Sequence, residues 1–504
     1  MANDELIEKI LQAPVYEVAI ETPLDRADLL SSRQDNRIWI KREDLQPVFS
    51  FKLRGAYNKI SRLSESERKA GVVAASAGNH AQGVALAATR LGVHSRIVMP
   101  RTTPQIKVEA VRRLGGDAVL EGDSFEEAAA LAARIRADEG RVFVHAYDDI
   151  DVIAGQGSVA VEILRQQEDP IDAIFVPVGG GGLIAATAAY VKQASPSTRV
   201  IGVEPTDAAC FAAALEAGEP VDIGPVGLFA DGVAVRKVGT LPFAIARRLV
   251  DEVVTVGIDE ICAAIRDIFE DTRSIAEPAG ALAIAGLKRW VADNDVRGAT
   301  LVAIDSGANM NFDRLRHIAE RAAIGEQREA LLAVTIPERP GSFQSLCRAL
   351  GGHSVTEFNY RYGGADQAHV FVGVELSGRA SECEGVMEDL RRAGFAVVDM
   401  TGNELAKLHV RFMVGGRATL PDERLFRFEF PERPGALASF LDRIGGRWNI
   451  SLFHYRNHGA AFGRVLAGLE IPAQDEDHFA RFLEELGYPV VEETSNRAAG
   501  LFLG

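Results

Sequence analysis

DAIFVPVGGGGLIAATAAYVK, residues 172–192, passes from a short apolar, β-rich run through four consecutive glycines into an alanine-rich run of helical composition. Strand, glycine turn and helix in that order place backbone N–H groups and the positive end of a helix macrodipole together, a ready site for a phosphate. A flexible linker is the alternative for a bare glycine run, but the strand before it and the helix after it argue for a built loop. No GxxxxGK[ST] stretch occurs, so a nucleoside triphosphate is disfavoured and the phosphate is expected to belong to a cofactor. Outward from this stretch the same rhythm repeats between about Ile38 and Ile304: GVVAAS then HAQGVALAATRLG, SRIVMP then TPQIKVEAVRRLG. Short strands alternating with helices predict an α/β fold with mainly parallel sheets, whose ligands gather beyond the carboxyl ends of the strands.

Three further stretches supply chemistry. Lys52 stands in SFKLRGA (residues 50–56) beside Phe51, and a lysine next to an aromatic ring in a dry setting loses its proton readily, as imine formation with an aldehyde requires. Ser76-Ala77-Gly78-Asn79-His80 follows GVVAA and opens a helix; its hydroxyl and backbone donors can receive a carboxylate, and Asn79 can donate to a phenolic oxygen. Ser306-Gly307-Ala308-Asn309 follows TLVAID, where a serine hydroxyl can face a heterocyclic nitrogen. Helix capping and turn formation are the ordinary roles of such residues, and the combination argues for more.

Past about Gly325 the pattern changes. LLAVTIPERPGSFQSLCRALGGHSVTEFNYR from Leu331 is echoed by LFRFEFPERPGALASFLDRIGGRWNISLFHYR from Leu425, two copies of a βαββ-type unit. Pro340-Gly341 and Pro434-Gly435 mark the turns, and FVGVEL and VLAGLEI supply the further strands. The 504 residues exceed one compact core, and the net charge of −16 leaves no excess positive field, making nucleic acid and anionic membranes poor partner candidates and small molecules the expected ligands. Cys210, Cys262, Cys347 and Cys383 lie far apart, form no CxxC pair and suggest neither a disulfide framework nor a zinc site, which fits a reducing compartment. The N-terminus is acidic, and no run of about 18 apolar residues occurs, so a cytoplasmic chain is expected.

SFKLRGA, SAGNHAQG, GGGGL and SGAN, in this order and with the double C-terminal repeat, resemble the fold type II (tryptophan synthase β-like) pyridoxal-phosphate enzymes, and among them the biosynthetic threonine deaminase family. The resemblance runs from ETPL near residue 21 to the end of the repeats. It implies a catalytic domain over residues 1–325 and an α+β regulatory domain of two ACT-like modules, 329–401 and 424–495. It further implies pyridoxal 5'-phosphate on Lys52, packed by Phe51, with Gly179, Gly180, Gly181, Gly182 and Leu183 on its phosphate, Asn79 at the ring oxygen and Ser306 at the ring nitrogen. Ser76, Gly78, Asn79 and His80 would hold the substrate carboxylate. The implied reaction is dehydration and deamination of L-threonine to 2-oxobutanoate and ammonia, with L-serine giving pyruvate more weakly. Isoleucine would inhibit, valine would oppose it, and the enzyme would be a homotetramer. Tyr360, Arg361, Tyr455 and Arg456 are the candidates for the effector surface. Serine racemases share the motifs, but Ala77 stands where their second proton-transfer serine belongs. Glu204 and Ala208 match their metal site, whereas Cys210 replaces its second carboxylate, so no metal is expected and a structural role for Glu204 is favoured. A sensor whose catalytic half is inactive is the reading from another class, and the four intact loops oppose it.

Overall fold

The apolar runs on either side of the glycine loop need cover on both faces, and the chain supplies it with helices between nearly every pair of strands. The computed structural model describes residues 3–337, 342–351, 353, 355–360, 367–379, 381–412, 422–431, 448, 450–456 and 462–503. Two compact units emerge, residues 1–322 and 323–504. In the first, the chain forms β1 (Leu24–Arg26) and β2 (Arg37–Arg42). It then leaves to build a separate sheet from β3 (Val72–Ala75), β4 (Ser95–Met99), β5 (Asp117–Leu120) and β6 (Val142–Phe143), and returns with β7 (Ala173–Pro177), β8 (Arg199–Pro205), β9 (Glu252–Val256) and β10 (Thr300–Asp305).

The larger sheet has the order β1-β2-β10-β7-β8-β9 and the smaller β5-β4-β3-β6. Every pairing is parallel except that of β1 with β2. Residues of β3, β7 and β10 are buried throughout, the burial expected of parallel strands between helical layers. The glycine loop leaves β7 and the SGAN loop leaves its neighbour β10, so two of the expected loops share one edge of one sheet. The alternating strands divide between two sheets, with SAGNH on the smaller, a division that periodicity does not reveal.

The helix Lys52–Ser61 is fixed from two sides. It crosses the helix Ile150–Gln166 at a glycine pair: a Cβ on Gly155 would lie 2.6 Å from the Arg54 carbonyl oxygen and 2.7 Å from Gly55 Cα. Beside this crossing, Arg54 is fully buried and donates to Glu43 (2.7 and 2.8 Å) and Glu162 (2.6 and 3.0 Å). Lys41 completes the group, 2.6 Å from Glu162. Two buried cations thus face two buried carboxylates, and each guanidinium branch has an oxygen.

In the second unit, β11 (Glu329–Pro337), β12 (Val355–Tyr360), β13 (Gln367–Glu375) and β14 (Ala396–Asp399) form an antiparallel sheet in the order β12-β13-β11-β14, with the helices Ser342–Ala349 and Glu382–Arg392. The second copy repeats it with β15 (Glu423–Pro431), β16 (Ile450–Arg456), β17 (Phe462–Glu470) and β18 (Val490–Glu492), in the order β16-β17-β15-β18. Even the register shift recurs, at Val355/Glu357 and at Ile450/Leu452. Each copy therefore extends the βαββ reading by a last helix and a short fourth strand, the helix being Glu476–Leu486 in the second. Leu331 and Phe371 of the first copy join Leu425 and Leu466 of the second in one buried cluster. Both Pro-Gly turns lie outside the described residues.

Replacing Arg54 with alanine leaves Glu43 and Glu162 buried with Lys41 alone, and is expected to destabilise the first unit by about 3–5 kcal/mol. Urea unfolding followed by tryptophan fluorescence measures this; an unchanged midpoint would contradict the role given to the ion group.

Candidate active site

Lys52 is the first residue of its helix, and its amine lies 5.1 Å from the centre of the Phe51 ring and donates to the Ala146 carbonyl at 3.1 Å. Desolvation lowers its pKa from 10.5 to about 8, with Glu277 pulling the other way. The residues before it pair with the SGAN loop: Ser50 bridges Gly307, Phe51 N donates to the Ser306 carbonyl, and Ala308 N donates to the Phe49 carbonyl. Ser306, buried at the end of β10, donates its hydroxyl to the Ala279 carbonyl at 3.3 Å. Burial, and then the nearby Asp44, push the carboxyl of its neighbour Asp305 well above the usual carboxylate range.

The tetraglycine is a cradle that side chains would fill. A Cβ on Gly180 would run into the Tyr147 ring, and one on Gly179 would lie 2.8 Å from Val233 Cα. Gly181 has φ +89°, open to glycine at little cost, and Gly182 begins the helix Gly182–Ala194, with Leu183 next. The Gly180 carbonyl accepts from Gly239 N and the Gly179 carbonyl from Cys210 Sγ, so the carbonyls are turned into the protein. The first N–H groups of the helix have no intrahelical acceptor, and an anion suits them. This loop fits a phosphate, and a desolvated lysine amine fits an aldehyde.

On the smaller sheet, the loop Ser76–Gly78 leads into the helix Asn79–Arg90, and Ser76 Oγ accepts from Gly78 N at 3.3 Å. Asn79 Nδ2 donates to Glu277 Oε1 at 2.5 Å, and Asn79 Oδ1 accepts from Asn309 Nδ2 at 2.7 Å. His80 gives its Nε2 proton to the Val144 carbonyl at 2.8 Å, and burial with nearby Lys52 lowers its pKa to about 3. The imidazole is neutral and its Nδ1 is an acceptor, so what His80 offers a carboxylate is its main-chain N–H and not its ring.

Sequence reasoning missed Glu277, which is buried with its pKa raised to about 7 by desolvation and then by Asp231. It missed the partners of Asn309 and the segment His145–Asp149 as well. In that segment the Ala146 carbonyl accepts a hydrogen bond from the Lys52 amine, Tyr147 covers the glycine loop, and the Asp148 carboxylate accepts from Thr240 and Leu241 N–H. The signal available was a polar cluster, HAYDD, at the carboxyl end of a strand. Glu204 accepts from Phe211 and Ala212 N–H, both at 2.8 Å, and so caps the helix Cys210–Ala217 as a structural residue; Ala208 is buried in the preceding turn. Among the described residues no group of three or more His, Cys, Asp or Glu is arranged to hold a metal, and no helix is long and apolar enough to cross a membrane. Tyr360 ends β12, and Tyr455 and Arg456 end β16. Arg361 and the side chains of these three lie outside the described residues.

Residues 15–307 match the family described as pyridoxal-phosphate dependent enzyme, and residues 320–410 and 414–503 each match the C-terminal regulatory domain of threonine dehydratase. The biosynthetic L-threonine dehydratase IlvA of Burkholderia multivorans is 54% identical, covering 100% of both chains. That of Escherichia coli is 53% identical over 99% of this chain and 97% of its own. Among solved structures, the processed form of threonine deaminase isoform 2 from Solanum lycopersicum has a TM-score of 0.63 at 50% identity, covering 64% of this chain and 88% of that one. A serine racemase from Dictyostelium discoideum has a TM-score of 0.57 at 30% identity, covering 61% of this chain and 99% of its own. With glycine cradle, desolvated lysine and paired regulatory modules together in one chain, the protein belongs to the biosynthetic threonine dehydratase family of pyridoxal-phosphate enzymes.

Proposed function

We propose that the chain converts L-threonine to 2-oxobutanoate and ammonia by loss of water and then hydrolytic release of ammonia, with L-serine giving pyruvate more slowly. The observation that carries this reading is the desolvated Lys52 amine beside a side-chain-free phosphate cradle. Pyridoxal phosphate, when bound, supplies an aldehyde for the substrate amine and a conjugated ring that draws off the electrons of the broken Cα–H bond. Lys52 holds the resting cofactor and, once displaced, takes the α-proton on Nζ. Gly179, Gly180, Gly181, Gly182 and Leu183 hold the phosphate through main-chain N–H groups. Asn79 donates to the ring oxygen, and Ser306 faces the ring nitrogen with a neutral hydroxyl, which favours prompt loss of the β-hydroxyl over transamination. Ser76 Oγ and the main-chain donors of Gly78, Asn79 and His80 receive the substrate carboxylate.

The second unit is proposed to bind isoleucine as inhibitor and valine as its opponent, at surfaces including Tyr360, Arg361, Tyr455 and Arg456. Support comes from the duplicated fold set apart from the catalytic unit, since feedback needs a ligand that favours one of two states. The proposed assembly is a homotetramer in the cytoplasm.

Lys52→Ala is expected to lower 2-oxobutanoate release by at least about 10³-fold and to abolish the visible cofactor band, and a variant retaining both refutes the assignment. Cofactor uptake by the apoprotein has a defined pH course. Only the neutral amine adds to an aldehyde, and the folded pKa lies below the ordinary lysine value, so the neutral form prevails above about pH 8, not only above 10.5. The uptake rate should therefore rise with pH to a plateau whose midpoint is about 8; a midpoint near 10.5 would show a solvated lysine. Tyr360→Ala and Tyr455→Ala are each expected to raise the isoleucine concentration for half-inhibition by about tenfold, and unchanged inhibition in both removes the effector assignment.

A further inference from the structure

Asn79 carries an amide that looks alike after a half-turn, yet only one orientation presents an N–H to an oxygen of the bound cofactor. A chain of hydrogen bonds beginning at a main-chain carbonyl decides which. The Val48 carbonyl can only accept, so the end of the Asn309 amide facing it, at 2.7 Å, is the NH2 group. That nitrogen has a second hydrogen, directed at Asn79 and 2.7 Å from it, so the Asn79 atom it meets is the carbonyl Oδ1. The Asn79 nitrogen then lies on the opposite side, where it gives one hydrogen to Glu277 Oε1 at 2.5 Å and keeps one.

Glu277 is itself held. Its main-chain N donates to the Gly307 carbonyl at 3.0 Å. Its carboxyl is enclosed by two glycines: a Cβ on Gly307 would lie 3.0 Å from Oε1, and one on Gly232 would lie 3.3 Å from it. The charged and titratable groups facing it are Asp231, Lys107, Arg314, Lys52 and Asp305. A flipped Asn79 would set its oxygen against this carboxyl and its NH2 against the NH2 of Asn309, breaking two hydrogen bonds and creating two repulsive contacts.

We propose that Asn309 and Glu277 are positioning residues that lock the Asn79 amide between them, so that its remaining N–H faces the cofactor's ring oxygen. The proposal rests on the reading above that Asn79 meets that oxygen. Neither residue touches the reacting atoms; both act through Asn79.

The test uses purified holoenzyme variants, following cofactor dissociation and the acid–base midpoint of the visible cofactor band, with thermal unfolding as a check on the fold. A ring oxygen that loses its donor holds a proton more tightly, so Asn79→Ala should move the midpoint up and weaken cofactor binding by about tenfold. Asn309→Asp, which keeps the shape but cannot donate to Val48, should move the midpoint in the same direction. Glu277→Ala and Glu277→Gln both lose the carboxylate charge, and only Gln keeps a carbonyl acceptor for the Asn79 N–H, so the Ala midpoint should lie above the Gln midpoint. The double variant Asn79→Ala/Asn309→Asp should be no worse than Asn79→Ala alone, because both act through one contact. A parent-like midpoint in Asn309→Asp, or equal midpoints in Glu277→Ala and Glu277→Gln, with Asn79→Ala shifted, overturns the proposal, as does full additivity in the double variant. A parent-like Asn79→Ala overturns instead the reading beneath it. Should Asn309→Asp fail to fold, the Glu277→Ala and Glu277→Gln pair decides.

Discussion

The ion group of Arg54, Lys41, Glu43 and Glu162 is the constraint on which the catalytic unit depends. It ties β2, the turn after it and the helix Ile150–Gln166 to the helix that begins with Lys52, all without access to water. Burying four charges is costly, and the group persists because every charge has an opposite partner at hydrogen-bond distance. A reactive amine two residues from such an anchor has little freedom to wander, and catalysis gains from that restriction.

Around this anchor the site pushes its titratable groups toward their neutral forms. Burial lowers Lys52 to about 8 and His80 to about 3, and raises Glu277 to about 7 and Asp305 well above the usual carboxylate range. What remains is a dry interior with fixed donors and acceptors, in which a cofactor phosphate would be the dominant charge. The helix Gly182–Ala194 begins at the glycine loop, where its positive end would meet such a charge. Preorganised dipoles of this kind need no rearrangement as charge develops during reaction.

Local signals carried much of this into the sequence. Strand, glycine run and helix are written in contiguous residues, so β7, its loop and the following helix were legible, as was the duplicated second unit. The partners of Asn79 were not, because Glu277 lies 198 residues and Asn309 230 residues away in the chain. Nor was the orientation of the His80 ring, which is set by the Val144 carbonyl, 64 residues distant, against its Nε2. Likewise β14 and β18 are too short to announce themselves, with four and three residues, and are defined by pairing along β11 and β15.

Leu331, Phe371, Leu425 and Leu466 come from two halves built to one plan, yet they occupy a single apolar layer. Close-packed layers transmit displacement instead of absorbing it, so neither half can change shape as a private event. The two copies therefore form one packed body and not two independent ones. A substitution at any of these four positions therefore disturbs the packing of both copies at once.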